Sequence, residues 1–160
     1  MTRQLWAPWR LEYVSSADEQ EGCFFCAAAA GDDVERLVLH RGAHSFALLN
    51  KFPYASGHFM VAPLRHVGEY GELTDEEVLE LHRHASAGMG ALAETYAPQG
   101  YNVGWNLGRT AGAGVVDHVH LHVVPRWSGD TNFMPVLADT KVIPEALAAT
   151  AERLRARLGE

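Results

Sequence analysis

His118, His120 and His122 occupy alternate positions in Asp117-His118-Val119-His120-Leu121-His122-Val123-Val124-Pro125-Arg126. An imidazole can ligate a metal, attack phosphorus or carry protons near neutrality. In a β-strand, alternate side chains share one face. The three imidazoles would then look into something polar, and Val119, Leu121 and Val123 would pack on a core. The β-branched content favours a strand over a helix, and Pro125 is expected to end its ladder. Three histidines on a solvated face is the bland reading. Two chemical readings stand beside it: metal ligands, or a nucleophile with its helpers.

Lengths weigh between these. Positions i to i+4 of a straight strand span ~13 Å, whereas a zinc–nitrogen bond is ~2.0 Å. One ion shared by all three would demand a severe bend, so different histidines should do different work. Cys23-Phe24-Phe25-Cys26 is half of a metal site, since zinc takes about four N or S ligands. His66 and His118 are the best candidates for the rest. A redox disulfide would prefer a thioredoxin-like βαβ setting, and two reduced cysteines without metal are the alternative. Gly108-Arg109-Thr110-Ala111-Gly112-Ala113-Gly114 precedes the triplet. Small residues allow backbone N–H groups to cradle a phosphate, although plain turns have the same composition. Beside a histidine nucleophile such a loop is coherent: a neutral imidazole attacks phosphorus, and a second acceptor releases the group.

The whole chain limits the partners. Its 160 residues fit one domain. A formal net charge of −7 argues against broad phosphate-backbone binding to nucleic acid, though not against a small anion in a pocket. No apolar run approaches ~18 residues, so no membrane span is expected. The opening MTRQLWAPWRLEYV lacks a signal-peptide h-region, and a reducing, cytoplasmic setting is expected for the two cysteines.

The elements that must position these residues read as follows. Residues 1–21 form an aromatic-rich arm, docked on the domain or on a second subunit. Residues 22–30 are a turn into a short helix. Strands are expected at Val34–His40, Ser45–Asn50, His58–Pro63, Tyr101–Leu107 and through the triplet. Thr74-Asp75-Glu76-Glu77 has capping-box form. It starts a long helix whose buried stripe would be Val78, Leu81, Ala85, Met89, Leu92 and Tyr96, with His82 and His84 at the surface and Pro98 and Gly100 as stops. Residues 128–142 look irregular, and Pro144 suits the first turn of a last helix running to about Leu158. The class is α+β: an antiparallel five-stranded sheet with one long helix between strands three and four and a C-terminal helix.

His118-Val119-His120-Leu121-His122-Val123-Val124 resembles the signature of the histidine triad (HIT) family. The resemblance extends to Phe46–Asn50, to Pro53-Tyr54-Ala55-Ser56-Gly57-His58-Phe59-Met60-Val61-Ala62-Pro63 and to Arg65-His66. It covers roughly residues 22–130, leaving 131–160 as a C-terminal segment and helix of one HIT domain. Val124-Pro125-Arg126 with Gly129-Asp130, the Trp-Ala-Pro-Trp-Arg opening and residues 129–136 are similar to the bacterial diadenosine tetraphosphate phosphorylase-like branch.

The resemblance implies a nucleotidyl transferase or hydrolase that cleaves dinucleoside polyphosphates, diadenosine tetraphosphate foremost, with phosphate or water as acceptor. His120 would be the nucleophile. His122 and His58 would flank the α-phosphate and handle protons. Asn106 would position phosphate and nucleophile, Asn50 would hold the ribose, and Gly112, Gly114 and Val115 would present backbone amides. Cys23, Cys26, His66 and His118 would hold a structural zinc, with no organic cofactor. A homodimer is implied as well. Where the family usually offers Gln or Ser before the triad, this chain has Gly114 and Val115; Arg109, Thr110, Arg126, Trp127 or Asn132 are the candidate substitutes. The competing readings are a nucleoside phosphoramidase of the same family, a metal-dependent hydrolase using the triplet as ligands, and a nucleotide-binding partner protein.

Overall fold

A computed structural model describes residues 22–130 and 144–159. The N-terminal arm, Asn132 and the rest of the 131–143 stretch lie outside them. The elements are α1 (Phe24–Ala30), β1 (Val38–Arg41), β2 (Ser45–Leu49), β3 (Phe59–Pro63), α2 (Asp75–Tyr96), β4 (Gly100–Trp105), β5 (Leu121–Arg126) and α3 (Leu147–Leu158). Short 3₁₀ turns occupy Tyr70–Glu72 and Arg109–Ala111. The strands form one antiparallel sheet in the order β1-β2-β3-β5-β4. The expected class and layout hold. The crossover that sets β5 between β3 and β4 brings the histidine triplet beside the Gly57-His58 corner.

Alternation along the strands divides the interior in two. Ala47, Leu49, Phe59, Val61, Leu121 and Val123 pack under α2 and α3 with Leu81, Leu92, Ala151 and Leu154. Phe46, Leu48, Met60 and Ala62 point the other way and pack with Phe25 and Ala28 of α1 and with Val38. The capping box of α2 forms as read: Thr74 Oγ1 accepts from the Glu77 N–H, and the Glu77 carboxylate accepts from the Thr74 N–H.

Several expectations are corrected. β1 starts at Val38, not Val34, because Asp32 accepts from the Val34 and Glu35 N–H groups and winds that stretch into a turn. Only His122 of the triplet lies inside β5; His118 and His120 lead into it, with the Val119 N–H bonded to the Val67 carbonyl. Pro125 does not end the ladder. β5 pairs with β3 only as far as Val123 but with β4 as far as Arg126, and a proline is tolerated where one side of a strand has no neighbour. Val78 is exposed, and its place on the buried side of α2 is taken by Glu77. His84 is buried, with Nδ1 3.0 Å from Ser45 Oγ. α3 begins at Leu147, so Pro144 precedes it rather than opening it.

Candidate active site and metal cluster

The metal candidates converge. α1 supplies Cys23 as its N-cap residue and Cys26 one turn on, the stretch after β3 supplies His66, and the approach to β5 supplies His118. One donor atom from each lies within 4.8 Å of all the others. Cys23 Sγ is 3.2 Å and Cys26 Sγ 3.7 Å from His118 Nδ1, and Cys26 Sγ is 3.3 Å from His66 Nδ1. A tetrahedral zinc with thiolate and imidazole ligands would space its donor atoms by about 3.3–3.8 Å. The donor set and the spacing therefore fit such an ion. The tautomer of His118 fits too. Its Nε2 is 2.9 Å from the Pro63 carbonyl oxygen, which can only accept, so Nε2 carries the proton and Nδ1 turns a lone pair to the cysteines. Burial, followed by the neighbouring Cys23, raises the Cys26 thiol above its usual range; a bound cation would reverse that.

The other histidines are set by the same one-way logic. His120 is 6% exposed, and its Nδ1 lies 2.8 Å from the His118 carbonyl oxygen. Nδ1 must donate, which leaves the lone pair on Nε2. Burial, partly offset by that carbonyl, lowers its pKa to about 4, so the ring is neutral at pH 7. The Tyr54 N–H donates to His58 Nδ1 at 3.0 Å. His58 Nε2 therefore carries its proton and donates to His122 Nδ1, also at 3.0 Å. With Nδ1 accepting, the His122 proton sits on Nε2, and the Asn106 side-chain amide, whose nitrogen lies 3.4 Å away, must turn its oxygen to that N–H to accept it. The His120 and His122 rings meet edge to face at 4.8 Å between centroids. This group of imidazoles thus contains a lone-pair nitrogen and a proton-bearing nitrogen on adjacent rings.

A cleft of about 440 Å³ runs from His122 past Tyr54, Gly104 and Asn106 to Arg126 and Asp130. Arg126 stands at its far end, clamped by both Asp130 carboxylate oxygens and by Asn102 Oδ1. Asn50 is buried beside His58, and its Oδ1 accepts from the Phe52 N–H. In the glycine-rich loop two N–H groups are bonded within the loop itself. The Gly112 N–H goes to the Arg109 carbonyl and the Ala113 N–H to that of Gly108. Gly112 is there for its backbone, with φ 89°. Val115 packs against the α1-side cluster, and Arg109 and Thr110 are exposed. Trp127 donates to the Tyr96 carbonyl. Sequence reading missed two contributors: the Tyr54 backbone N–H, invisible in residue type, and Phe25, whose place depends on tertiary packing.

Comparison with known proteins follows the same lines. The HIT domain family model matches residues 32–129. The chain is 39% identical over 160 residues to an AP-4-A phosphorylase of Mycobacterium tuberculosis, covering 95% of this chain and 82% of that protein. It is 30% identical over 139 residues to the adenosine 5'-monophosphoramidase hnt1 of Schizosaccharomyces pombe, covering 85% and 98%. Among solved structures it resembles a Zn-bound histidine triad family protein from Mycobacterium smegmatis, with a TM-score of 0.70 and 27% identity over 86% of this chain and 94% of that one. With the family model spanning most of the chain and the triad in place on β5 and its approach, this protein belongs to the HIT domain family.

Proposed function

We propose that this chain transfers a nucleotidyl group from a dinucleoside polyphosphate, best represented by diadenosine tetraphosphate, to phosphate or water through a covalent bond to His120. The observation that carries the reading is the hydrogen bond from His120 Nδ1 to the His118 carbonyl. It leaves Nε2 unprotonated on a neutral ring. Nε2 attacks the α-phosphorus, an N–P bond forms, and the bridging P–O bond breaks with its electron pair leaving on the polyphosphate. His122 Nε2–H, placed through His58 and Tyr54, is the donor aimed at the developing charge. An oxygen of phosphate or water then attacks the same phosphorus, the N–P bond breaks, and His120 is restored. Asn106 orients His122, and Asn50 holds the loop that carries Tyr54 and His58 as well as the ribose. The amides of Gly114 and Val115, Arg126 at the cleft's far end and Asn132 complete the binding set. Zinc bound by Cys23, Cys26, His66 and His118 supplies a structural cross-link. The functional unit is a homodimer, with β4 and its half-exposed Val103 at the sheet edge as the pairing element.

Phosphate is favoured as acceptor by the 39% identity to a protein named AP-4-A phosphorylase. A metal-dependent hydrolase using the triplet as joint ligands is disfavoured, because His118 turns its Nδ1 to the cysteines while the Nδ1 of His120 is held by a carbonyl. The test is product analysis with diadenosine tetraphosphate. ADP and ATP in the presence of phosphate indicate phosphorolysis, and AMP and ATP indicate hydrolysis. A quenched reaction should yield an adenylylated peptide containing His120. Turnover without that adduct in any quench, or no turnover of any adenylylated substrate, rejects the reading.

A further inference from the structure

Phe25 takes no part in the chemistry above, yet its ring lies between the two sites. It stands inside Cys23-Phe24-Phe25-Cys26, between both candidate thiol ligands, and is 1% exposed. Its ring centroid is 4.5 Å from that of His120, with the planes 34° apart, and 5.2 Å from that of His118, with the planes 42° apart. Away from the histidines it is seated among Ala28, Val38, Phe46, Leu48, Met60 and Ala62, with the Phe24 ring edge to face at 5.2 Å between centroids.

His120 needs such a neighbour. One hydrogen bond, from Nδ1 to the His118 carbonyl, fixes a point on the ring rather than its plane. A ring held only along its Cγ–Nδ1 edge can rock about that edge, and rocking swings Nε2 across the direction of attack. A flat side chain against its face removes that freedom. Two links therefore run from the cysteine–histidine cluster to His120. One passes through His118, which turns Nδ1 to the sulfurs and its carbonyl to His120. The other passes through the ring carried between the two cysteines.

We propose that Phe25 is a positioning residue for His120: a wedge, seated by Cys23 and Cys26 as they close on a cation, that aims the attacking nitrogen. The inference rests on His120 being the attacking group. It concerns aim rather than substrate binding, so it should appear in kcat and in the state of the His120 ring.

The test uses the full zinc-loaded chain with Phe25→Leu and Phe25→Met, which keep most of the volume without the flat face. Histidine-selective nitrogen NMR at neutral pH reads which nitrogen of each ring carries the proton, and metal analysis reads zinc per chain. Expected for both variants is wild-type zinc content, a His120 signal that keeps Nδ1–H but is broadened by ring motion, and kcat lowered by about 10–10²-fold with KM within about twofold. Stripping zinc from the unmutated protein should loosen the same signal, which gives an arm independent of mutant folding. A native His120 spectrum in both variants overturns the proposal, as does loss of zinc in step with loss of His120 order, or an unchanged spectrum after zinc removal. Failure of the wild type to turn over diadenosine tetraphosphate would count against the proposed function instead, while the His120 spectrum would still decide whether Phe25 and the metal hold the ring.

Discussion

Each imidazole proton is placed by a neighbour that can act in only one direction: a carbonyl that accepts or a backbone N–H that donates. The chain from the Tyr54 N–H through His58 to His122 therefore decides which nitrogen of His122 bears the proton. His58→Ala should let that proton settle on either nitrogen and lower kcat by about 10²–10⁴-fold, with a smaller effect on KM. Steady-state kinetics on diadenosine tetraphosphate checks this. Tyr54→Ala keeps the backbone N–H and should cost kcat less, although it removes the ring stacked 4.9 Å from His58; an equal loss in the two variants would sink the assignment. The triad was legible in the sequence from residue type and spacing, although only His122 lies inside β5, and so was the need to give His118 a different task. His58 and His122 came together only through the family resemblance, and the hydrogen bond between them was not legible, since it depends on β3 lying beside β5, a fact of sheet order. His84, expected at the surface, is buried and meets Ser45, 39 positions away, a contact that only the tertiary fold makes.

Helix α2 is held to the sheet by contacts that separate two otherwise similar glycines. A Cβ on Gly88 would come within 2.4 Å of the buried ring of Phe59, whereas one on Gly90 would meet nothing within 4 Å. Alanine in a helix gains about 0.5–1 kcal/mol over glycine, but forcing atoms into a packed core costs about 1–3 kcal/mol. Gly90→Ala should therefore stabilise the protein and Gly88→Ala destabilise it, measured by urea unfolding; the same sign for both would show that α2 does not pack as described. The helix also reaches across to the β1–β2 turn through Glu80, whose carboxylate accepts from the N–H groups of Ala43, His44 and Ser45 and from Ser45 Oγ. Burial works to raise its pKa, but those donors outweigh burial and the net shift is downward. A carboxyl with a lowered folded pKa adds stability above its unfolded value of about 4.3 and loses it as pH falls through the folded value. Wild type should therefore lose stability on acidification below about pH 4.3, and Glu80→Gln, less stable at pH 7, should show a flatter acid limb. Parallel limbs would mean that this carboxylate is not what ties α2 to the turn. Capping chemistry was readable from Thr74 and Glu77 alone because it is local; the grip of Glu80 on a turn 35 residues away was not.

Across the whole molecule the sheet keeps two interiors, and they are secured differently. The α2–α3 side has a broad apolar layer, tied further by Arg155 of α3 donating to the Val38 carbonyl at 2.7 Å. The α1 side has a smaller cluster under a seven-residue helix, too short to persist without tertiary support. The cysteine–histidine cluster lies on that weaker side and joins α1, the segment after β3 and the approach to β5. An ion there should stabilise by mass action, about 2.7 kcal/mol when free zinc is a hundredfold above its dissociation constant. For a chain of this size that corresponds to a fall of roughly 5–10 °C in Tm on chelation. The loss should also be local. After chelation, amide hydrogen exchange should quicken first in α1 and in the 115–120 segment, while the α2–α3 side keeps its protection. The Cys23→Ser, Cys26→Ser double variant should start at the lower Tm and show no response to chelator. If the zinc-loaded wild type keeps its Tm under chelation, or if exchange quickens first in α2, then the apolar contacts of α1 suffice alone, and the cluster is not what secures the face that carries His120.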